Sequence, residues 1–402
     1  MQNNIMNLNH DLCTGCGMCE AVCPKQSIKI RLNRKGFYQP ILNQKTCINC
    51  GLCVKFCAKF NEEEEENIYL EVYALKNKNK EILKKSSSGG VSHEIMKFCI
   101  ENGYKIFGAA YDYEKEITIS VIEKNEEKLG KFFGSKYMQS YIVDSLKEIV
   151  NDKTEQKYAV FGTPCQIYTL NKYAELNNKR DKFLFIDLFC HGCPSLNLWK
   201  KYLQDRKKEY KCNDFDEIEF RSKANGWHEF TFKFLKGSSN FITNRYENDF
   251  YELFFDRNFL NKGCYKCKIK NNLRYTDIRL GDFWGNQYDL DKEGVSAAVI
   301  CTNKGEKVLK AVKNKFIIRK HDLEEILPFQ SCVREYIENV EKRKKYLNLL
   351  SSEMSLAEFM KNYRQNYSLL KKIKISLKKL SYFLPQEIRN YLKKYYHRKV
   401  TL

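Results

Sequence analysis

Short apolar runs alternate with segments of helical spacing through the middle of the chain. Val91, Ile95, Phe98 and Cys99 recur at three- and four-residue intervals and Gly103 follows as a stop, which predicts a helix over residues 91–102. Residues 105–112 and 117–123 read as strands and residues 138–150 as a second helix. Tyr158-Ala-Val-Phe161 is a short buried strand running into Gly162-Thr-Pro-Cys-Gln166. Residues 183–189 form an almost unbroken apolar strand ending at Cys190-His-Gly-Cys-Pro194. Runs of that kind favour a sheet covered on both faces. Residues 196–203 return to helical spacing.

Residues 215–255 alternate in character and are rich in aromatics, which reads as antiparallel strands set into the core. Strand character resumes over residues 276–302; Asn303-Lys-Gly305 reads as a turn and residues 306–315 as a helix. Residues 335–402 read as helical pieces, with Pro385 breaking the run. The mixture of βα and hairpin signals predicts an α+β or mixed α/β fold.

The chain has 402 residues, enough for two or three domains. Its formal charge of +20 is unevenly placed: residues 361–402 hold twelve Lys/Arg and one acid. There Leu369, Leu370, Ile373, Leu377, Leu380 and Leu384 recur at helical spacing with lysines between them, the pattern of a basic amphipathic helix. A chain lacking residues 361–402 is expected to keep its cofactors, the tail serving as a contact with an anionic membrane surface or an acidic partner. The run of glutamates at 62–66 reads as a solvated loop. Residues 63–85 read as a charged connector. No secretory signal opens the sequence and no apolar run reaches membrane-spanning length, so the expected location is cytoplasmic, with peripheral attachment at the inner face of the membrane through the tail.

The 17 cysteines change the picture most. Eight form a repeat, Cys13-x2-Cys16-x2-Cys19-x3-Cys23-Pro24 and Cys47-x2-Cys50-x2-Cys53-x3-Cys57. Three closely spaced thiolates wrap one corner of a [4Fe-4S] cubane and the fourth of each run reaches the other cluster. On that pattern cluster one is held by Cys13, Cys16, Cys19 and Cys57, and cluster two by Cys47, Cys50, Cys53 and Cys23. Structural zinc tolerates CxxC pairs but does not explain a third cysteine at the next step, repeated twice. Ala58 stands where proline commonly follows the second run.

Further along, Cys165, Cys190 and the Cys264-x2-Cys267 pair come from three separated places and supply the thiols of one more cubane; Cys193 is a fifth and an alternative to Cys190. Cys99, Cys212, Cys301 and Cys332 read as buried apolar cysteines. A phosphate-bearing, ring-bearing cofactor has anchors in Ser88-Gly89-Gly90 at a helix start, in Gly134-Ser135-Lys136-Tyr137, and in Phe220-Arg221-Ser-Lys223-Ala-Asn-Gly-Trp227.

Taken in order with Phe189-Cys-His-Gly and Thr276-Asp-Ile-Arg-Leu-Gly-Asp-Phe-Trp284-Gly, these elements make the chain resemble the coenzyme F420 hydrogenase/dehydrogenase beta-subunit family, in the form with an N-terminal two-cluster ferredoxin domain. The resemblance implies a two-[4Fe-4S] ferredoxin domain at 1–62, the connector at 63–85, an FAD and iron–sulfur core with a mixed sheet at 86–334, and a basic helical tail at 335–402. It implies Cys165, Cys190, Cys264 and Cys267 as ligands of a third cluster. It implies Ser88, Gly89, Gly90, Ser135, Lys136 and Tyr137 as part of a flavin site, with Arg221, Lys223 and Trp227 lining the flavin or its substrate. The expected activity is an FAD-dependent iron–sulfur oxidoreductase passing electrons between a two-electron carrier, a deazaflavin or another hydride donor or acceptor, and one-electron carriers such as a ferredoxin or another redox partner protein. Two other readings stand beside it: a non-catalytic electron-transfer subunit of a larger redox complex, and a reductase in surface-polysaccharide biosynthesis. No residue is an evident proton donor; His191 and Asp282 are the candidates. The basic charge is not interleaved with a nucleic-acid motif, so no nucleic-acid partner is expected.

Overall fold

A computed structural model of the chain describes residues 3–61, 67–243, 248–333, 338–382, 384 and 388. Pro385 and the glutamates at 62–66 lie outside the described residues. The N-terminal segment is built on an antiparallel hairpin, β1 (Ile28–Leu32) and β2 (Tyr38–Leu42). The core follows with β3 (Glu71–Asn77), β4 (Tyr104–Asp112), β5 (Ile117–Glu123), β6 (Lys157–Phe161) and β7 (Phe183–Leu188). Next come β8 (Glu217–Ser222), β9 (Thr231–Lys236) and β10 (Ser239–Ile242), then β11 (Ile278–Asp282), β12 (Ser296–Ile300) and β13 (Phe316–His321).

Eight strands make one mixed sheet in the order β13-β3-β12-β11-β7-β6-β4-β5. Its centre, β11-β7-β6-β4, is parallel, and its flanks are antiparallel. The side-chain period of two sorts the central strands between two apolar layers. Ala159, Leu184 and Ile186 face the helices Val91–Glu101 and Asn303–Val312, where Ile95, Cys99, Val308 and Val312 are buried. Tyr158, Val160, Phe183 and Phe185 face Val143–Asn151 and Pro164–Leu176. Met18, Val22 and Phe56 of the N-terminal segment are part of that second layer, so the ferredoxin segment is packed onto the core rather than tethered to it.

Five expectations need correction. The stretch read as a connector contains β3, which pairs with β12 and β13 inside the sheet; Val72, Ala74 and Leu75 are buried, so the core begins near Glu71. The second helix starts at Val143, not at 138, because Tyr141 instead bonds to β5 (its N–H to Thr118 O at 2.9 Å) and Ser140 to Ser120. Residues 215–255 hold only three strands, in a separate small sheet, followed by the helix Asp249–Phe255. The helix read as starting at 306 starts at Asn303, capped by the Thr302 hydroxyl on Gly305 N–H at 3.2 Å. The tail is not one unit. Its helices Val340–Leu350 and Leu356–Gln365 bury Tyr346, Leu347, Phe359, Met360 and Tyr363 in an aromatic layer with Trp199, Phe232 and Phe250. Only the helix Leu369–Tyr382 keeps its apolar residues outside, with Leu369 73% and Leu370 79% exposed.

Candidate functional site

Each half of the cysteine repeat folds the same way. A glycine in the left-handed region, Gly17 (φ +79°) and Gly51 (φ +77°), turns the chain into a one-turn helix carrying the third cysteine. Gly15 and Asn49 hold matching positions and both have positive φ. Asparagine tolerates that conformation, but at position 15 an added Cβ would meet Gln139 Nε2 at 2.2 Å and Tyr38 O at 2.8 Å. Glycine is required there by the contact with the core.

The structure brings the thiols together in the combinations expected from the repeat. Burial, then Cys57, Cys165 and Cys13, raise the Cys16 thiol well above its usual value. Cys19 is raised by burial and by Cys13, Cys16 and Cys57. Cys57 therefore stands with the first run. Cys23 shares a hollow with Cys47, Cys50 and Cys53. In the core, Cys165 follows β6, Cys190 and Cys193 follow β7, and Cys264 and Cys267 come from the crossover between β10 and β11. The site thus lies beyond the carboxyl ends of parallel strands, where open α/β sheets bind their ligands. Burial raises Cys190 well above the usual thiol value, as do the neighbouring Cys264, Cys165 and Cys267. Cys267 is pushed up to about 12 by burial and by Cys165. Cys193 donates to Cys264, and that hydrogen bond draws the Cys264 thiol down.

Crowded thiols that resist ionisation suit a site completed by cations. Among the described residues no three His, Cys, Asp or Glu side chains converge on a point fit for a single ion. A cubane asks for a looser set, because each thiolate binds its own iron. Cys99, Cys301 and Cys332 are buried, as expected, while Cys212 is only partly so.

The two sets of thiols meet along a built seam. Lys35 O accepts from Ser195 Oγ at 2.7 Å, Gly36 O from Leu196 N at 2.9 Å, and Thr14 O from Gln139 Nε2 at 2.6 Å. Gly263 lies so close to Leu12 O that a Cβ would approach it to 2.2 Å. Ala58 is 1% exposed and packs against Tyr168 and Ile269, which gives a reason for a small residue where proline is commoner. Glu20, 3% exposed, accepts from Lys147 at 2.8 Å and from Ile30 N at 2.6 Å. Burial alone would raise its carboxyl; the Lys147 and Ile30 hydrogen bonds, with the charges of Lys147 and Lys29, hold it below its usual range instead. Replacing Glu20 by Gln is expected to cost about 1–3 kcal/mol, the value of hydrogen bonds to a charged group. Denaturant unfolding followed by cluster absorbance measures it.

The nine residues read as flavin anchors form one continuous neighbourhood beside these thiols. Lys223 Nζ donates to Ser88 O at 2.6 Å, and Ser135 N donates to Ser87 Oγ at 2.7 Å. Arg221 pairs with Asp282 at 2.6 Å, reaches Tyr137 OH at 3.4 Å, and lies over the Phe230 and Trp284 rings. Trp227 donates to Asp282 Oδ1 at 2.9 Å and stacks on Trp284 at 4.9 Å. Lys136 donates only to the carbonyls of Lys131 and Phe133, and burial pushes it down to about 7. Two anchors are otherwise engaged: Gly89 N–H donates to Ser296 and Ser88 Oγ to Val295 O, so these hold the loop to β12. Gly90 carries the turn into the helix Val91–Glu101. Phe230 was not singled out in the sequence; its only signal was membership of an aromatic-rich stretch. His191 contacts Phe254 O at 3.1 Å, a loop-anchoring contact, and Asp282 is bound to Arg221 and Trp227.

Residues 155–326 match the family described as the C terminus of the coenzyme F420 hydrogenase/dehydrogenase beta subunit, and residues 12–61 match the 4Fe-4S dicluster domain. The core is a beta-subunit domain of that family. The chain is 25% identical over 346 residues to the coenzyme F420-dependent sulfite reductase of Methanocaldococcus jannaschii, which covers 83% of this chain and 51% of that protein. It thus spans about half the length of this curated relative. A chain of the F420-reducing [NiFe] hydrogenase complex from Methanosarcina barkeri is similar at 21% identity with a TM-score of 0.44, over 77% of this chain and 97% of that one. The beta-subunit domain therefore sits behind a two-cluster iron–sulfur domain in a single polypeptide. Among the described residues no helix is long and apolar enough to cross a membrane.

Proposed function

We propose that this beta-subunit protein is an FAD-dependent oxidoreductase that exchanges an electron pair with a deazaflavin or similar hydride carrier and single electrons with a redox partner protein. The observation that carries the reading is the placement of the core thiols between the flavin-anchor neighbourhood and the thiols of cluster one. Cys165, Cys190, Cys264 and Cys267 would hold a third [4Fe-4S] cluster, next to the set Cys13, Cys16, Cys19 and Cys57, with Cys47, Cys50, Cys53 and Cys23 beyond. Bound FAD would supply the conversion between a hydride and two single electrons.

The donor set suits a flavin in part. Lys136 has no carboxylate partner among the described residues, Arg221 Nε has no partner, and Trp227 with Trp284 supplies an aromatic wall. Lys136, Lys223 and Arg221 would attract the pyrophosphate; Ser88 and Gly89 would shape the loop. Trp227, Arg221 and Tyr137 would orient the ring, and Asp282 would fix Arg221. The test is to release small molecules from anaerobically prepared protein and identify FAD, then follow flavin bleaching with reduced deazaflavin, nicotinamide and ferredoxin in turn. No flavin after reconstitution removes the hydride-to-electron reading. Lys136 is pushed down to about 7 by burial, and Lys223 to about 7 by burial and then by Arg221. Both lose charge as pH rises through that value. FAD affinity is therefore expected to fall between about pH 6 and about pH 9, below the ordinary lysine range. An affinity constant across that range would show that neither lysine holds the phosphate.

The tail helix has the character of a surface-binding element. Leu369, Leu370, Ile373 and Leu377 are exposed, and the sequence between them is rich in lysine. An apolar stripe in a basic helix fits an anionic membrane surface.

A further inference from the structure

The seam brings two groups of the ferredoxin segment to the thiols of the core. Thr14 lies between Cys13 and Cys16, is 8% exposed, and is fixed through its carbonyl by Gln139. Its hydroxyl bonds to Cys165 of the core, whose sulfur also has Thr163 Oγ1 at 3.3 Å. Lys59 follows the buried Ala58, which is wedged against Tyr168 and Ile269 beside Cys267. Two residues on, Asn61 O accepts from Tyr168 OH at 3.1 Å. These two holds keep the partly buried Lys59 at the seam. Its charge acts on Cys13 of the cluster-one set and on Cys165, Cys264 and Cys267 of the core set, lowering each thiol. Cys53, in the other set, responds instead to burial, to the Ile5 backbone and to Cys50.

We propose that Thr14 and Lys59 are positioning residues for the core centre: the ferredoxin segment lends it a hydroxyl and a cation that raise its reduction potential. This rests on the reading that the core thiols hold a cluster. Passing one electron between the core centre and cluster one oxidises one and reduces the other, with no bond made or broken. Reduction adds negative charge, which a nearby ammonium and a hydroxyl on a ligand sulfur stabilise. The ferredoxin segment would then be part of the core's redox chemistry as well as its outlet.

The test is an EPR-monitored redox titration of the intact holoprotein with Lys59→Gln, Lys59→Arg and Thr14→Val. Lys59→Gln is expected to lower the core midpoint until the reduced-to-oxidised ratio at fixed potential falls about tenfold, which is about 59 mV for one electron. Lys59→Arg should stay near wild type, and Thr14→Val should shift in the same direction. The centre held by Cys47, Cys50, Cys53 and Cys23 should not move. A Lys59→Gln protein with full iron and an unmoved core midpoint overturns the proposal. So does an equal shift at every centre, the mark of net charge alone. If Lys59→Gln loses core iron, Thr14→Val decides by the same criterion. Wild-type iron near about eight per chain would instead sink the core-cluster reading itself.

Discussion

Anaerobically purified protein is expected to contain iron and acid-labile sulfide near about twelve atoms each per chain, four for each of three cubanes. Eight of the ligands come from the repeat and four from the core. Cys264→Ala should reduce both values to about eight, because a cubane short of a thiolate at a buried site loses its anchor. The fourth core ligand can be told apart in the same way. Cys190 lies among Cys165, Cys264 and Cys267, whereas Cys193 is engaged chiefly with Cys264. Cys190→Ala should therefore lose the core iron and Cys193→Ala keep it. The opposite result would exchange their roles. A wild-type value near eight, with Cys264→Ala unchanged, would leave the core thiols without iron.

Ending the chain after Met360 is expected to destroy the core, and ending it after Ser368 to spare it. Tyr363 is 1% exposed and packs with Phe259, Phe359 and Tyr346. Its hydroxyl bonds to Asp256, Tyr367 bonds to Glu252, and Arg364 pairs with Asp249 and Glu252. Losing one large buried aromatic costs about 3–5 kcal/mol, against a total stability of about 5–15 kcal/mol. The shorter chain should aggregate or melt well below wild type, contrary to the expectation from sequence that residues 361–402 are dispensable. The longer one should keep its iron and lose only binding to anionic vesicles, a binding that salt weakens. Sedimentation with vesicles containing phosphatidylserine, against neutral vesicles, reads this directly. If the chain ending at Ser368 sediments like wild type, the helix Leu369–Tyr382 is not the membrane contact; an acidic protein partner is then the surface to test.

The features that sequence alone determined are those set by neighbours along the chain. The spacing of Cys13 to Cys23, repeated from Cys47 to Cys57, carries the cluster chemistry because a cubane corner is wrapped by residues three apart. The apolar runs at β6 and β7 announced a sheet covered on both faces because nearly every position along them is buried. Tertiary structure decided what depends on partners far away. β3 looked like a charged connector because its lysines outweighed three buried apolar residues; Lys76 is accommodated by Asp291, 215 positions on, and by Glu293. The tail looked uniformly basic because Tyr346, Phe359 and Tyr363 declare themselves core residues only when Phe259 and Trp199 stand opposite them. Thr14, Ala58 and Lys59 carry no motif at all. Their roles arise where the ferredoxin segment closes on the core, since a hydroxyl or a charge acts over ångströms in space, whatever its distance along the chain.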